Sequence, residues 1–225
     1  MFLIQYRSFK HWSFTKLLRP ASRAGGFTLV ELLITMTIAA ILLAVAVPQF
    51  KSAFQSQQAS TEITNLLNDM AYARSEAIRE GQYVTICALP APPLTTGVSC
   101  GTSNNWQNGW IIYSDSGTSS TTTNSATQTY AASTSTLLRV QNAFTSTDTL
   151  TNSTGSANSS VHTVSFNRDG FVPGLTAGAG LLFTLDNSPV NNSATRCLWL
   201  DVSGRQYIQI HNQTAATGQG TNTCS

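Results

Sequence analysis

The stretch that decides the fold is Gly26-Phe27-Thr28-Leu29-Val30-Glu31 with the apolar run that continues to Val47, GFTLVELLITMTIAAILLAVAV. Of the 21 residues from Phe27 to Val47, only Thr28, Glu31, Thr35 and Thr37 are polar. An α-helix needs about 20 predominantly apolar residues to cross a bilayer, so residues 27–47 are predicted to be a transmembrane helix. One carboxylate, Glu31, stands a single turn inside it. A charge at such a position costs roughly 2.5–3.5 kcal/mol on insertion scales. A carboxylate kept at that cost points to a partner or a function.

Working outward, residues 1–26 carry Arg7, Lys10, Lys16, Arg19 and Arg23 and no acid, a charge of +5. Positive flanks stay in the cytoplasm, which puts the far side of the helix outside it. A secretory signal peptide is cut after its apolar core. Here the small pair Gly25-Gly26 precedes the core, so cleavage there leaves the helix on the mature chain. A mitochondrial transit peptide shares the acid-free, Arg- and Ser-containing start but explains neither the Gly26-Phe27 junction nor Glu31. The remaining residues hold seven basic groups against ten acids, −3 overall, so net charge gives a nucleic-acid partner no support.

Beyond Pro48, Phe50, Phe54, Ile63, Leu66, Leu67, Met70, Ala73, Ala77 and Ile78 recur at three- and four-residue steps, an amphipathic helical pattern. No ion-pair ladder runs along this segment, which leaves packing to hold it. Gly81 reads as the C-cap. A helix from Phe27 to Glu80 has 54 residues, about 81 Å at 1.5 Å per residue. From Tyr83 the pattern changes to short strand-like runs: Tyr83–Leu89, Gly109–Asp115, Thr136–Phe144, Val161–Asn167, Gly180–Asp186, Arg196–Val202 and Arg205–His211. Ser203-Gly204 reads as a hairpin turn and Asn167-Arg168-Asp169-Gly170 as another. The Ser-, Thr- and Asn-rich tracts Ser114–Ser135 and Thr145–Ser160 read as long surface loops.

Four cysteines, Cys87, Cys100, Cys197 and Cys224, all follow the anchor. In an exported chain an even number favours two disulfides, with three connectivities open; the spacings suggest Cys87–Cys100 and Cys197–Cys224. A zinc site would need closer ligand spacings than these. His162 and His211 stand in no nucleophile or metal pattern. The glycines Gly174, Gly178 and Gly180 lack the Lys-Ser/Thr of a phosphate loop. Asn167 and Asp169 lack the glutamate of a calcium loop. No catalytic residue, metal or cofactor is expected, and the chain does not read as an enzyme.

The sequence GFTLVELLITMTIAAILLAVAVPQF, Gly26 to Phe50, resembles the N-terminal methylation motif of type IV pilins and type II secretion pseudopilins. The resemblance implies that a prepilin peptidase cuts after Gly26 and that Phe27 is then N-methylated. It also implies that Glu31 attracts the terminal amine of a neighbouring subunit during assembly. Ala73–Arg79 leading into a strand, Gly109–Tyr113, Val164–Val172 and Arg196–Leu198 followed by Ser203-Gly204-Arg205 are similar to the GspH/FimT branch. Some members used in DNA uptake carry Gly-Arg-x-Arg at a C-terminal hairpin; this chain has Gly204-Arg205-Gln206-Tyr207, so the first arginine matches and the second is a tyrosine.

The expected architecture is α+β: a leader at 1–26, a transmembrane helix at 27–47, its amphipathic continuation at 48–80 and a β-rich head at 81–225. The expected function is a structural minor pilin or pseudopilin of the GspH/FimT type. It would be stored single-pass in a bacterial inner membrane with its head in the periplasm, then built into a type IV pilus or a secretion pseudopilus. Its expected partners are other pilins or pseudopilins and the prepilin peptidase. The alternative is a DNA-binding minor pilin for natural transformation acting through Arg205; contact with secreted proteins is a further one.

Cleavage between Gly26 and Phe27 is the first testable outcome. Mass spectrometry of the membrane-extracted protein should find N-methylated Phe27 as its first residue. A mature chain beginning after Val47 would overturn the reading of the whole segment.

Overall fold

The structure, a computed structural model, describes residues 26–92, 98–115, 130–154, 161–175, 180–188, 191–213 and 223–224. The leader before Gly26, most of the first predicted loop tract (116–129), the end of the second (155–160) and the tail at 214–222 lie outside the described residues. Two compact units are present, one ending at Val45 and one comprising Ala46–Ser225.

Helix α1 spans Leu29–Glu80. It begins two residues later than Phe27 because Thr28 is its cap. The Thr28 hydroxyl accepts the Glu31 N–H at 3.2 Å, satisfying a donor that a helix start leaves open, and its carbonyl accepts the Leu32 N–H at 3.1 Å as the first bond of the helix. Pro48 lies inside α1 without ending it. At the far end Gly81 takes φ +66° and donates its N–H to the Ala77 carbonyl at 3.0 Å, a left-handed C-terminal cap.

In the second unit α1 packs on two four-stranded antiparallel sheets. One has the order β3-β2-β1-β5 and the other β4-β6-β7-β8. The first joins β1 (Tyr83–Ala88), β2 (Trp110–Asp115), β3 (Ser135–Gln141) and β5 (Thr163–Phe166). The second joins β4 (Thr149–Thr154), β6 (Leu181–Asp186), β7 (Arg196–Leu200) and β8 (Gln206–Ile210). Ala59, Ile63, Leu66, Met70, Ala73 and Ala77 of α1 form one core with Ile86, Ile112, Val164, Phe166, Phe183, Leu198 and Leu200. Strand alternation sends Cys87, Ile111 and Tyr113 to the opposite face of the first sheet, and Leu182, Cys197 and Trp199 to that of the second. Each of these small outer clusters contains a disulfide, Cys87–Cys100 in one and Cys197–Cys224 in the other.

Three sequence expectations change here. Phe50 and Phe54, which fit the amphipathic spacing, are 65% and 74% exposed. At that height α1 meets the head through polar side chains instead: Asn191 Nδ2 donates to Ser52 and Gln55 at 3.3 Å, and Arg196 Nη2 to Ser56 at 2.8 Å. Ser52, Ser56, Ala59 and Ile63 continue one face, so the two phenylalanines point elsewhere. Ile78 is also exposed.

The tract Thr145–Ser160, read as a loop, contains β4, which pairs with β6 along its whole length. Its polar composition hides the strand. Leu150 is fully buried, and the Asn152 side chain exchanges two 2.8 Å bonds with the backbone of Val161. Polar groups satisfied in this way can be buried.

Finally, α1 is held by more than apolar packing. Glu62, Asp69 and Glu76 stand seven residues apart on it and are all buried. Asp69 accepts a bond from Trp110 Nε1 at 2.9 Å and an ion pair from Arg139 at 2.5 Å. The Arg139 guanidinium also lies 4.1 Å from the Tyr72 ring centre. Glu76 is paired along the helix with Arg79.

Truncating one partner of a buried, hydrogen-bonded charge pair leaves the other unsatisfied. Asp69→Ala should therefore destabilise the protein by about 2–4 kcal/mol. Arg139→Ala should cost less, because half-exposed Arg139 is screened by water. Chemical denaturation followed through tryptophan fluorescence measures both; equal and negligible effects would remove Asp69 from the framework.

Candidate functional site

The residues expected to act in processing and assembly lie at the open start of α1. Phe27 is 83% exposed, and the helix surface that follows is apolar and exposed on every side, with Leu29, Leu33, Ile41 and Leu43 all more than half exposed. This helix is long and apolar enough to cross a membrane by length and composition. An all-round apolar helix needs lipid or other helices around it. Glu31 sits at the third helical position after the Thr28 cap, where a carboxylate also complements the helix dipole. The Thr-x-x-Glu spacing is legible in the sequence as a capping signal, and Thr28 is the functional neighbour that sequence reading passed over.

At the other end of α1, Arg74 holds two turns of the head. Its Nε donates to the Gly170 carbonyl and its Nη2 to the Ser203 carbonyl, both at 3.0 Å. Gly170 and Gly204 have φ of +78° and +73°, conformations that L side chains rarely adopt. A Cβ on Gly170 would also meet Arg74 Nε at 3.0 Å, and one on Gly204 would meet it at 2.8 Å. The first turn is closed by Asn167, whose Oδ1 accepts the N–H groups of Asp169 and Phe171 at 3.0 and 2.8 Å. In the second, Asp201 Oδ1 accepts the Ser203 N–H at 2.6 Å. Arg205 extends from this hairpin with its guanidinium 5.4 Å from the Tyr207 ring centre.

A third polar centre joins α1 to the segment before β4. Ser146 donates its hydroxyl to Glu62 Oε1 at 2.9 Å, and Gln58 Nε2 donates to the same oxygen at 3.4 Å. The Asp148 carboxylate is buried close by, accepting the Asn187 side-chain amide at 3.0 Å and the Ser188 N–H at 3.3 Å. Glu62 Oε2 is buried without a partner among the described residues. Burial, reinforced by the Asp148 charge, raises the Glu62 pKa from 4.5 to about 6, against the opposing pull of its hydrogen bonds.

The histidines stay apart from these centres. Burial lowers the His162 pKa, and His211 has a buried Nδ1 with no partner among the described residues. No group of three His, Cys, Asp or Glu side chains that could hold a metal occurs among the described residues.

The family model for the type II transport protein GspH matches residues 62–204, and that for the prokaryotic N-terminal methylation motif matches residues 21–47. Two crystal structures of the type IV minor pilin FimU of Pseudomonas aeruginosa strain PAO1 are similar to the chain. The one in space group P65 is 21% identical, covers 75% of this chain and 99% of its own, and has a TM-score of 0.43. The one in space group P21 is 19% identical, covers 78% and 99%, and has a TM-score of 0.40. No curated protein matches.

The Glu62 centre generates a pH prediction. A carboxyl whose folded pKa is raised binds its proton more tightly when folded, so its contribution to stability falls as pH rises from 4.5 through about 6. The full loss is about 2 kcal/mol. Glu62→Gln should remove this dependence, so the stability difference between variant and wild type should grow across that window and level off above it. Unfolding midpoints measured from pH 4 to 8 check this; a constant difference would refute it. Taking the difference cancels the opposite slope that His162 contributes.

Proposed function

The chain belongs to the GspH family of type II transport proteins and carries the prokaryotic N-terminal methylation motif, and from that premise we propose that it is a non-catalytic minor pilin or pseudopilin. In this reading the prepilin peptidase removes residues 1–26, Phe27 becomes the methylated N-terminus, and residues 27–47 hold the chain in the inner membrane. The segment 48–80 and the head at 81–225 face the periplasm. The subunit then leaves the membrane for a type IV pilus or a type II secretion pseudopilus.

The observation that carries this reading is the exposed, all-round apolar start of α1 with one carboxylate in its first turn. In a membrane or fibre interior an isolated carboxylate is unfavourable, and an amine supplied by a neighbouring subunit offsets that cost. Glu31 at the helix start, four residues from the new N-terminus, is suited to meet such an amine. Exposed Phe50 and Phe54 extend the apolar surface available to neighbouring helices.

A second reading, DNA binding at Arg205, is supported by one feature: Arg205 has no carboxylate partner among the described residues and stacks toward Tyr207. It ranks below the first. The affinity of a protein for DNA scales with its phosphate contacts, and Arg74, which lines the same groove, already gives two of its donors to carbonyls.

The test of the first reading is Glu31→Gln. Glutamine keeps a side chain that can serve at the third position of a capped helix but removes the charge. Membrane insertion should persist, while the amount of subunit in sheared filaments or pseudopili should fall by about tenfold, in line with loss of one charge-assisted contact. Normal incorporation would show that the Glu31 charge is not the assembly contact.

A further inference from the structure

Between α1 and the β7–β8 hairpin lies an open groove of about 350 Å³, lined by Leu67, Ala71, Arg74, Ile78, Arg205 and Gln206 among others. Its floor is aliphatic: Leu67 is half-buried, Ala71 exposed, and Ile78 is 53% exposed. By strand alternation Ile208 continues the face of β8 that Gln206 presents, and it is 39% exposed. Arginines stand on both sides. Arg74 Nη1 has no partner among the described residues, since the two carbonyls take Nε and Nη2. No carboxylate pairs with Arg74 or Arg205 among the described residues. The acid nearest in the hairpin, Asp201, has one oxygen engaged by the Ser203 N–H. Arg79, on the last turn of α1, is neutralised by Glu76 and Glu80.

We propose that this groove docks an acidic peptide segment of a partner protein, with an aliphatic side chain on Leu67, Ala71 and Ile78 and flanking carboxylates on Arg74 and Arg205. The volume is at the small end for a ligand site, enough for one or two side chains of an extended segment. Guanidinium groups hold carboxylates through paired, charge-assisted hydrogen bonds. The residues lining the groove supply no aromatic platform on which nucleic-acid bases stack, and the Arg205 guanidinium lies toward the Tyr207 ring. The two arginines call for an anion, and the aliphatic floor favours a carboxylate-bearing peptide over a polynucleotide. The inference rests on the groove alone and holds whichever fibre the chain enters.

The test uses the full chain in detergent micelles and a fluorescein-labelled peptide of alternating glutamate and leucine, read by anisotropy with empty micelles subtracted. The glutamine–leucine counterpart and an oligothymidylate are the comparison probes. The glutamate peptide should bind, the glutamine peptide about tenfold more weakly, and binding should fall with added salt. Arg205→Gln should weaken binding about tenfold. Ala71→Trp, at an exposed helix position, should abolish it by filling the groove without changing any charge. Circular dichroism and unfolding midpoints should leave both variants folded. Equal binding of the two peptides, or full binding by Ala71→Trp, would overturn the proposal. Tighter, Arg205-dependent binding of the oligothymidylate would also overturn it, and would make the groove a nucleic-acid contact.

Discussion

A carboxylate buried between a helix and a sheet is stable only if its charge and its lone pairs are met, and Asp69 meets this condition through Trp110 and Arg139. Rotating α1 by one residue would carry Asp69 away from both partners and leave the buried carboxylate and the buried Trp110 indole N–H unsatisfied. Apolar packing on a helix is tolerant of small rotations, since leucine, methionine and alanine exchange contacts at modest cost. Directional hydrogen bonds are not tolerant in this way. Asp69 thus selects the rotation of α1 that places Ala59, Ile63, Leu66, Met70, Ala73 and Ala77 in the core.

The other two buried acids of the same stripe do different things. Glu76 is satisfied within its own helix by Arg79, so it adds little to the contact with the sheets. Glu62 has a hydroxyl, an amide and an opposing carboxylate, with no cation among its described contacts. It is the weak member of the stripe, and its raised pKa is the measure of that weakness. Arg74 completes the attachment from the other direction, by capturing the carbonyls of two glycine turns that must come close to it.

The remaining cross-links of the head lie partly inside this core and partly on the outer faces of the sheets. Trp106 donates its indole N–H to Val161 at 3.0 Å and lies edge-on to Phe183 at 5.1 Å, which ties the approach to β5 to the second sheet. Each disulfide lies in a small cluster on the outer face of one sheet. Such bonds chiefly limit the unfolded chain and contribute typically about 2–4 kcal/mol each. Among the described residues, the apolar side chains at the start of α1 stay exposed.

The sequence by itself determined the long helix, its exposed apolar start and most of the strands, because these depend on periodicity and composition within short windows. The 3.6-residue spacing from Ile63 to Ala77 reports one buried face, and Gly81 reports its end. It did not determine where that face first meets the head: Phe50 and Phe54 fit the same spacing, but the chain chose Ser52, Gln55 and Ser56 because Asn191 and Arg196 wait there. Nor did it reveal β4, whose threonines and Asn152 look like loop until Val161 satisfies the amide. The seven-residue spacing of Glu62, Asp69 and Glu76 was visible, yet a stripe of acids ordinarily marks a solvated face. Only the tertiary structure turned it inward, since only there do Trp110, Arg139 and Ser146, distant in sequence, supply the hydrogen bonds that make burial of charge possible.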